Sequence, residues 1–260
     1  MTWFDGLRPR ITLAIASILE LAIVVSSGTP VRSQPTSDSS DPTGRPIPIV
    51  NFEPPPGSGQ PSGNRSGGNR DCFAGTADSN GNSFLTLLVP ETLQGLTVNA
   101  RPALFAYLPP TQARSVRLKL EDEDGNLYFY DDDLPVADAP GIYQFAFPDE
   151  APDLEVGRRY QWTIAVTCRE EARYDDPAVA GWVERIEADS SLALPETEAS
   201  IALAATYAAE GLWFDTLAIL AELQQARPND PNVRREWEHL LESIGLAELA
   251  TEPLRTRSTP

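Results

Sequence analysis

Apolar and polar positions alternate with a period of two along residues 158–168. Tyr160, Trp162, Ile164, Val166 and Cys168 fall on one side; Arg159, Gln161, Thr163, Ala165 and Thr167 fall on the other. Strict alternation predicts a strand with one buried face and one wetter face. β-branched and aromatic residues suit that surface. We place this strand at the centre of the fold, with Tyr160, Trp162, Ile164 and Val166 as structural core. Shorter runs predict further strands over 83–89, closed by Pro90, and 102–108, closed by Pro109-Pro110. Residues 142–147 give another, with Tyr143, Phe145 and Phe147 inward, and 179–186 a last one carrying Trp182. In 116–121, Val116, Leu118 and Leu120 alternate with Arg117, Lys119 and Glu121. Asp124-Gly125 then supplies the residues of a tight two-residue turn, where both central positions take positive φ. That turn sets Leu120 opposite Phe129 on the core face and Glu121 opposite Tyr128, with Lys119 and Tyr130 outside. Short antiparallel strands at this spacing predict a β-sandwich of immunoglobulin-like architecture. The immunoglobulin sequence signature itself does not match, because Trp162 shares a strand with Cys168.

Past Asp189 the period changes to 3.6. Residues 197–210, 212–227 and 231–243 read as helices, separated by Gly211 and by Pro228-Asn229-Asp230-Pro231. Tyr207, Gly211, Trp213, Leu217, Leu220 and Pro228 have spacings resembling a single tetratricopeptide repeat, with Thr216 and Leu223 where the repeat places small residues. Val233, Trp237, Leu240, Leu241 and Ile244 form one stripe, as on a capping helix. A lone repeat cannot bury its own apolar face. The helical unit, 190–250, is therefore expected to dock on the sandwich domain, 71–189, giving an α+β chain. A disordered tail over 251–260 completes it.

The first 70 residues carry no such pattern. Arg8 and Arg10 precede an apolar run over 11–25, followed by Ser26, Ser27 and Gly28, which reads as a signal peptide over 1–28. Glu20 interrupts the run, which is shorter than the ~20 residues that span a bilayer. A retained, uncleaved anchor is the alternative. Residues 29–70 are dominated by Pro, Gly, Ser and Asn and read as a disordered linker, too poor in apolar surface to offset the entropy of ordering. The expected address is exported, periplasmic or extracellular. An exported chain with two cysteines commonly pairs them. Cys168 lies on the core side of its strand and Cys72 opens the domain, so a Cys72–Cys168 disulfide is expected.

Charge narrows the partners. Twenty Lys and Arg against 38 Asp and Glu give a net charge of −18. Such a field repels nucleic acid and anionic lipid surfaces. It leaves an envelope protein or a polysaccharide as the partner class.

Candidate chemistry is sparse. The one histidine, His239, lies off the apolar stripe of its helix and reads as solvent-facing. There is no G-x-S-x-G, Walker or dinucleotide motif, and a zinc site would need more Cys and His than are present. No catalytic residue is assigned. Acidic runs flank the hairpin, and Asp122, Asp124, Asn126 and Asp131 form a candidate calcium cluster, the one cofactor the sequence offers. Aligning Gly125 with the invariant glycine of an EF-hand loop puts Leu120 at the first ligand position, so that motif fails. Paired carboxylates ~5–10 Å apart across a cleft would be needed for glycoside hydrolysis.

Several short stretches carry a family resemblance. They are Leu88-Val89-Pro90-Glu91, Phe105-Ala106-Tyr107-Leu108-Pro109, Gly157-Arg158-Arg159-Tyr160-Gln161-Trp162, Gly181-Trp182-Val183-Glu184-Arg185 and Tyr207-Ala208-Ala209-Glu210-Gly211-Leu212-Trp213-Phe214-Asp215. Together they resemble the cyanobacterial family catalogued as domain of unknown function 928, over about 72–254. The resemblance implies a cyanobacterial source and an extracytoplasmic address, and brings no catalytic residues. The expected role is a non-enzymatic binding or interaction module of the cell envelope. A structural envelope or matrix component and an acid-residue hydrolase are the alternatives.

Overall fold

The computed structural model describes residues 47–53, 65–66, 72–73, 84–113, 115–135, 139–169, 173, 176–188 and 199–255. The signal expected over 1–28 lies outside these residues, as does most of the expected linker. In chain order the strands are β1 (Arg65–Ser66), β2 (Leu85–Leu87), β3 (Gln94–Thr97), β4 (Leu104–Leu108), β5 (Ser115–Asp122), β6 (Leu127–Pro135), β7 (Gly141–Phe145), β8 (Arg158–Thr167) and β9 (Ala178–Arg185). Helices α1 (Ile201–Ala209), α2 (Trp213–Ala226) and α3 (Pro231–Ser243) follow, and then a short strand, β10 (Leu254–Arg255). The strands form two sheets, in the orders β1-β2-β4-β7-β10 and β3-β9-β8-β5-β6.

The alternation along β8 folds as a half-buried strand should. Tyr160, Trp162, Ile164 and Val166 are fully buried, and they lie opposite Asp122, Leu120, Leu118 and Val116 of β5. The fold is α+β, with one difference from the expected antiparallel arrangement. Both sheets are mixed, because β3 runs parallel to β9 and β10 runs parallel to β7. Strand β3 escapes a pattern reading because Gly95 at its centre weakens strand propensity. Its Cα stands where a Cβ would meet the Phe214 ring at 2.7 Å and Trp213 Cβ at 3.0 Å. Only glycine lets the helical unit approach this closely.

The hairpin keeps the expected register at Leu120–Phe129 and Lys119–Tyr130, and then slips: Glu121 pairs with Leu127, not with Tyr128. The turn is the cause. Gly125 alone takes positive φ, +81°, and the Asp122 amide donates to Asn126 O at 3.0 Å, closing a longer loop than a two-residue turn. The extra residue is absorbed as a bulge. It turns Tyr128 onto Tyr160, with centroids 4.5 Å apart, and lets its hydroxyl donate to Asp153 O at 2.6 Å. The faces of β9, unassignable from its sequence, are also set by packing. Val179, Gly181 and Val183 point inward, while Trp182 carries the Arg159 guanidinium over its ring at 4.7 Å.

Ser200 caps α1, its hydroxyl accepting from the Leu203 amide, and Asp230 caps α3, with Pro231 as the first helical residue. The third helix buries Val233, Trp237, Leu240 and Leu241, the stripe read from the sequence. Contacts with the sheets are specific. The Trp213 indole donates to Leu88 O at 2.9 Å. The Trp162 and Phe214 rings meet edge to face at 6.2 Å. After α3 the chain returns to β7, where the Ile142 amide donates to Pro253 O at 2.9 Å. Residues 251–255, expected to lie in a disordered tail, thus include a strand at a sheet edge. Buried residues of both sheets and of the helices form one contiguous core, and all described residues belong to one compact unit.

Candidate functional site

The helical unit holds a piece of the chain that precedes the first strand. Residues 47–53, Ile-Pro-Ile-Val-Asn-Phe-Glu, lie within the stretch whose composition reads as linker, yet Val50 is 1 % exposed. Exposure alternates: Ile49, Asn51 and Glu53 are outward, Val50 and Phe52 inward. That is the period of an extended segment laid on a surface. Both main-chain groups of Val50 are read by α3. Its amide donates to Glu236 Oε2 at 2.9 Å, and its carbonyl lies 3.1 Å from His239 Nδ1. A carbonyl only accepts, so His239 carries its proton on Nδ1 here. The Phe52 ring meets Trp213 edge-on at 4.8 Å, and the Glu53 amide donates to Ala208 O at 3.3 Å.

Glu236 and His239 stand three residues apart, so a helix presents them on one face. The expectation of a solvent-facing His239 fails for this reason: the segment covers it and leaves it half-buried. Glu236 is 1 % exposed. A buried carboxylate requires hydrogen bonds; its other oxygen, Oε1, receives the Arg235 guanidinium at 3.1 Å. The signal available in the sequence was the pair Val50 and Phe52 among prolines, too short a repeat to stand out from composition.

Two open grooves also border the helices. One, of about 600 Å³, runs between the ends of α2 and α3 and the returning chain, lined by Gln224, Gln225, Arg234, Glu238 and Thr251 among others. The second, of about 410 Å³, lies between Asn99, Gln144 and the outer faces of α1 and α2, with Tyr207, Asp215 and Glu222 in its wall. Asp215 sits in the first turn of α2 and its carboxylate accepts from the Val98 amide at 3.2 Å. Burial pushes this carboxyl up to about 6 from its ordinary 3.8, against the opposing pull of hydrogen bonds from Thr97, Val98 and Asn99. The Tyr207 phenol is raised as well, by burial first and by the Asp215 charge second.

Ionising Asp215 costs more in the folded than in the unfolded chain. That cost is present above the folded value of about 6 and disappears as the pH falls towards 3.8. The melting temperature of the wild type relative to Asp215→Asn should therefore rise as the pH drops from about 7 to about 4. A thermal-shift series at matched pH reads the difference. A difference that falls over this range would contradict the assignment.

Cys72 and Cys168 form a disulfide, with Cα atoms 5.4 Å apart. Of the candidate calcium residues, Asp122 and Asn126 bond each other in the hairpin turn. The Asp122 carboxylate accepts from the amides of Asp124 and Asn126 and from the Asn126 side chain. The Asn126 bonds hold its pKa below the usual range. It organises the turn. Asp131 is paired across the hairpin with Leu118 and accepts from the Asp133 amide. Among the described residues no group of three or more His, Cys, Asp or Glu side chains is placed to share a metal ion, and no helix is long and apolar enough to cross a membrane.

Neither a curated protein nor a solved structure matches this chain. Residues 65–254 match the family described as Domain of Unknown Function (DUF928), from β1 through the first residue of β10, and the chain belongs to that family.

Proposed function

We propose that this chain is an exported interaction module of the cell envelope, with an immunoglobulin-like sandwich as scaffold and a helical unit resembling one tetratricopeptide repeat as recognition element. One observation carries the reading. The helical unit seats an extended polypeptide by main-chain hydrogen bonds to Val50 and by alternating side chains. Main-chain bonds give affinity and alternate side chains give selectivity in extended-peptide recognition. A sandwich is supported by the single core that both sheets enter and by the approach of Leu87 to within 3.2 Å of a Cβ on Gly181 of the other sheet. The disulfide suits an oxidising, extracytoplasmic compartment. Binding is favoured over acid catalysis because the carboxylate with the raised pKa, Asp215, is engaged by the end of β3.

Affinity capture from envelope fractions tests the role, using the full chain and a Glu236→Ala/His239→Ala variant side by side. A protein retained by the wild type and lost by the variant is expected. Equal retention by both would move the binding surface elsewhere, and retention of polysaccharide alone would overturn the polypeptide reading. N-terminal sequencing of the protein from its host should find cleavage within 26–34. An intact Met1 on soluble cytoplasmic protein would sink the export.

A further inference from the structure

We propose that residues 47–53 are a detachable ligand, and that the partner which replaces them in the seat is the same segment of a second copy of this chain. The inference rests on reading the seat as a polypeptide-recognition surface. Its starting point is the kind of contact made. Val50 is held through its amide and carbonyl by Glu236 and His239, Phe52 through the Trp213 ring edge, and Glu53 through its amide to Ala208 O. None of these contacts depends on the segment being joined to the domain that receives it. Eleven positions, Pro-Pro-Pro-Gly-Ser-Gly-Gln-Pro-Ser-Gly-Asn, join Glu53 to β1.

The occupant is settled by fit. The one sequence whose fit to this seat is on view is the chain's own, and every copy carries it. A reciprocal exchange between copies reproduces each hydrogen bond and each buried side chain, so the two forms differ mainly in the entropy of the connection. A short tether holds its ligand at an effective concentration in the millimolar range. Intramolecular seating therefore prevails in dilute solution. Exchange between copies becomes competitive where the protein is concentrated or held side by side, as on a surface.

Complementary full-length variants test this. Val50→Asp/Phe52→Ala supplies an open seat with a disabled segment. Glu236→Ala/His239→Ala supplies a free segment with a disabled seat. Each alone should sediment as a monomer; mixed, they should form a one-to-one heterodimer whose mass is the sum of the two. A labelled synthetic peptide of residues 47–53 should bind the first variant and bind the second at least about tenfold more weakly, two hydrogen bonds being lost. Peptide binding without a heterodimer would overturn the exchange and leave the recognition surface standing. Absence of both, with each variant folded by near-ultraviolet circular dichroism, would overturn the two together. Should either variant fail to fold, a protease site inserted after Gly63 of the otherwise unaltered chain replaces it. After cleavage the segment should exchange for labelled peptide. A segment that does not exchange, or whose release unfolds the domain, contradicts the proposal.

Discussion

Replacing both Cys72 and Cys168 by alanine should lower the melting temperature by roughly 10–20 °C, the size expected for a loss of about 4–5 kcal/mol in a chain of this length. The bridge spans 96 positions in sequence. In the chain-entropy model a loop of that length removes about 4–5 kcal/mol of freedom from the unfolded chain. That is a large part of the ~5–15 kcal/mol by which domains are stable. Cys72 is 2 % exposed, and its carbonyl accepts from the Thr111 hydroxyl at 2.9 Å and the Gln112 amide at 3.3 Å. The bridge thereby fixes the approach to β5 against the end of β8. Calorimetry of the wild type with and without reductant, beside the double variant, checks it. Coincident transitions in all three would contradict the expectation.

Trp213→Ala should cost about 4–6 kcal/mol, the sum of a large-to-small core change and a buried carbonyl left unpaired. Trp213 is fully buried and is used on three sides. Its indole N–H bonds Leu88 O beside β2, its ring meets Phe52, and its Cβ crowds Gly95 of β3. Helices as short as these depend on tertiary packing, so losing this contact should lower one common transition for sheets and helices. Trp213→Phe, which keeps most of the ring and loses the N–H, should cost about 1–3 kcal/mol. Separate transitions in Trp213→Ala, with the sheets melting at the wild-type temperature, would contradict a cooperative unit.

The parts of this fold that could be read from the sequence are those set by local period. Strand β8 and its buried Tyr160, Trp162, Ile164 and Val166 follow from alternation alone, and α3 occupies the span its proline start and apolar stripe predict. What could not be read depends on partners distant in sequence. Strand β3 exists because β9 pairs with it and because Gly95 admits Phe214. Strand β10 needs β7, and the Tyr128 bulge needs Tyr160 and Asp153 to receive the side chain. The seat is the furthest case. Glu236 looks like one more surface acid on a charged helix until Val50, 186 positions earlier, donates to it. Composition averages such a segment into its proline- and glycine-rich neighbours, although two inward side chains and three main-chain contacts are enough to place it.

Exchange of the Val50 amide hydrogen measures directly whether the helical unit holds residues 47–53 as a ligand. With its N–H on Glu236, the amide should be protected roughly a hundredfold or more relative to a free peptide, yet open at lower cost than the amides of β8. Glu236→Ala should remove that protection and leave β8 unchanged. Exchange of Val50 in the wild type at the rate of an unstructured peptide would contradict the account.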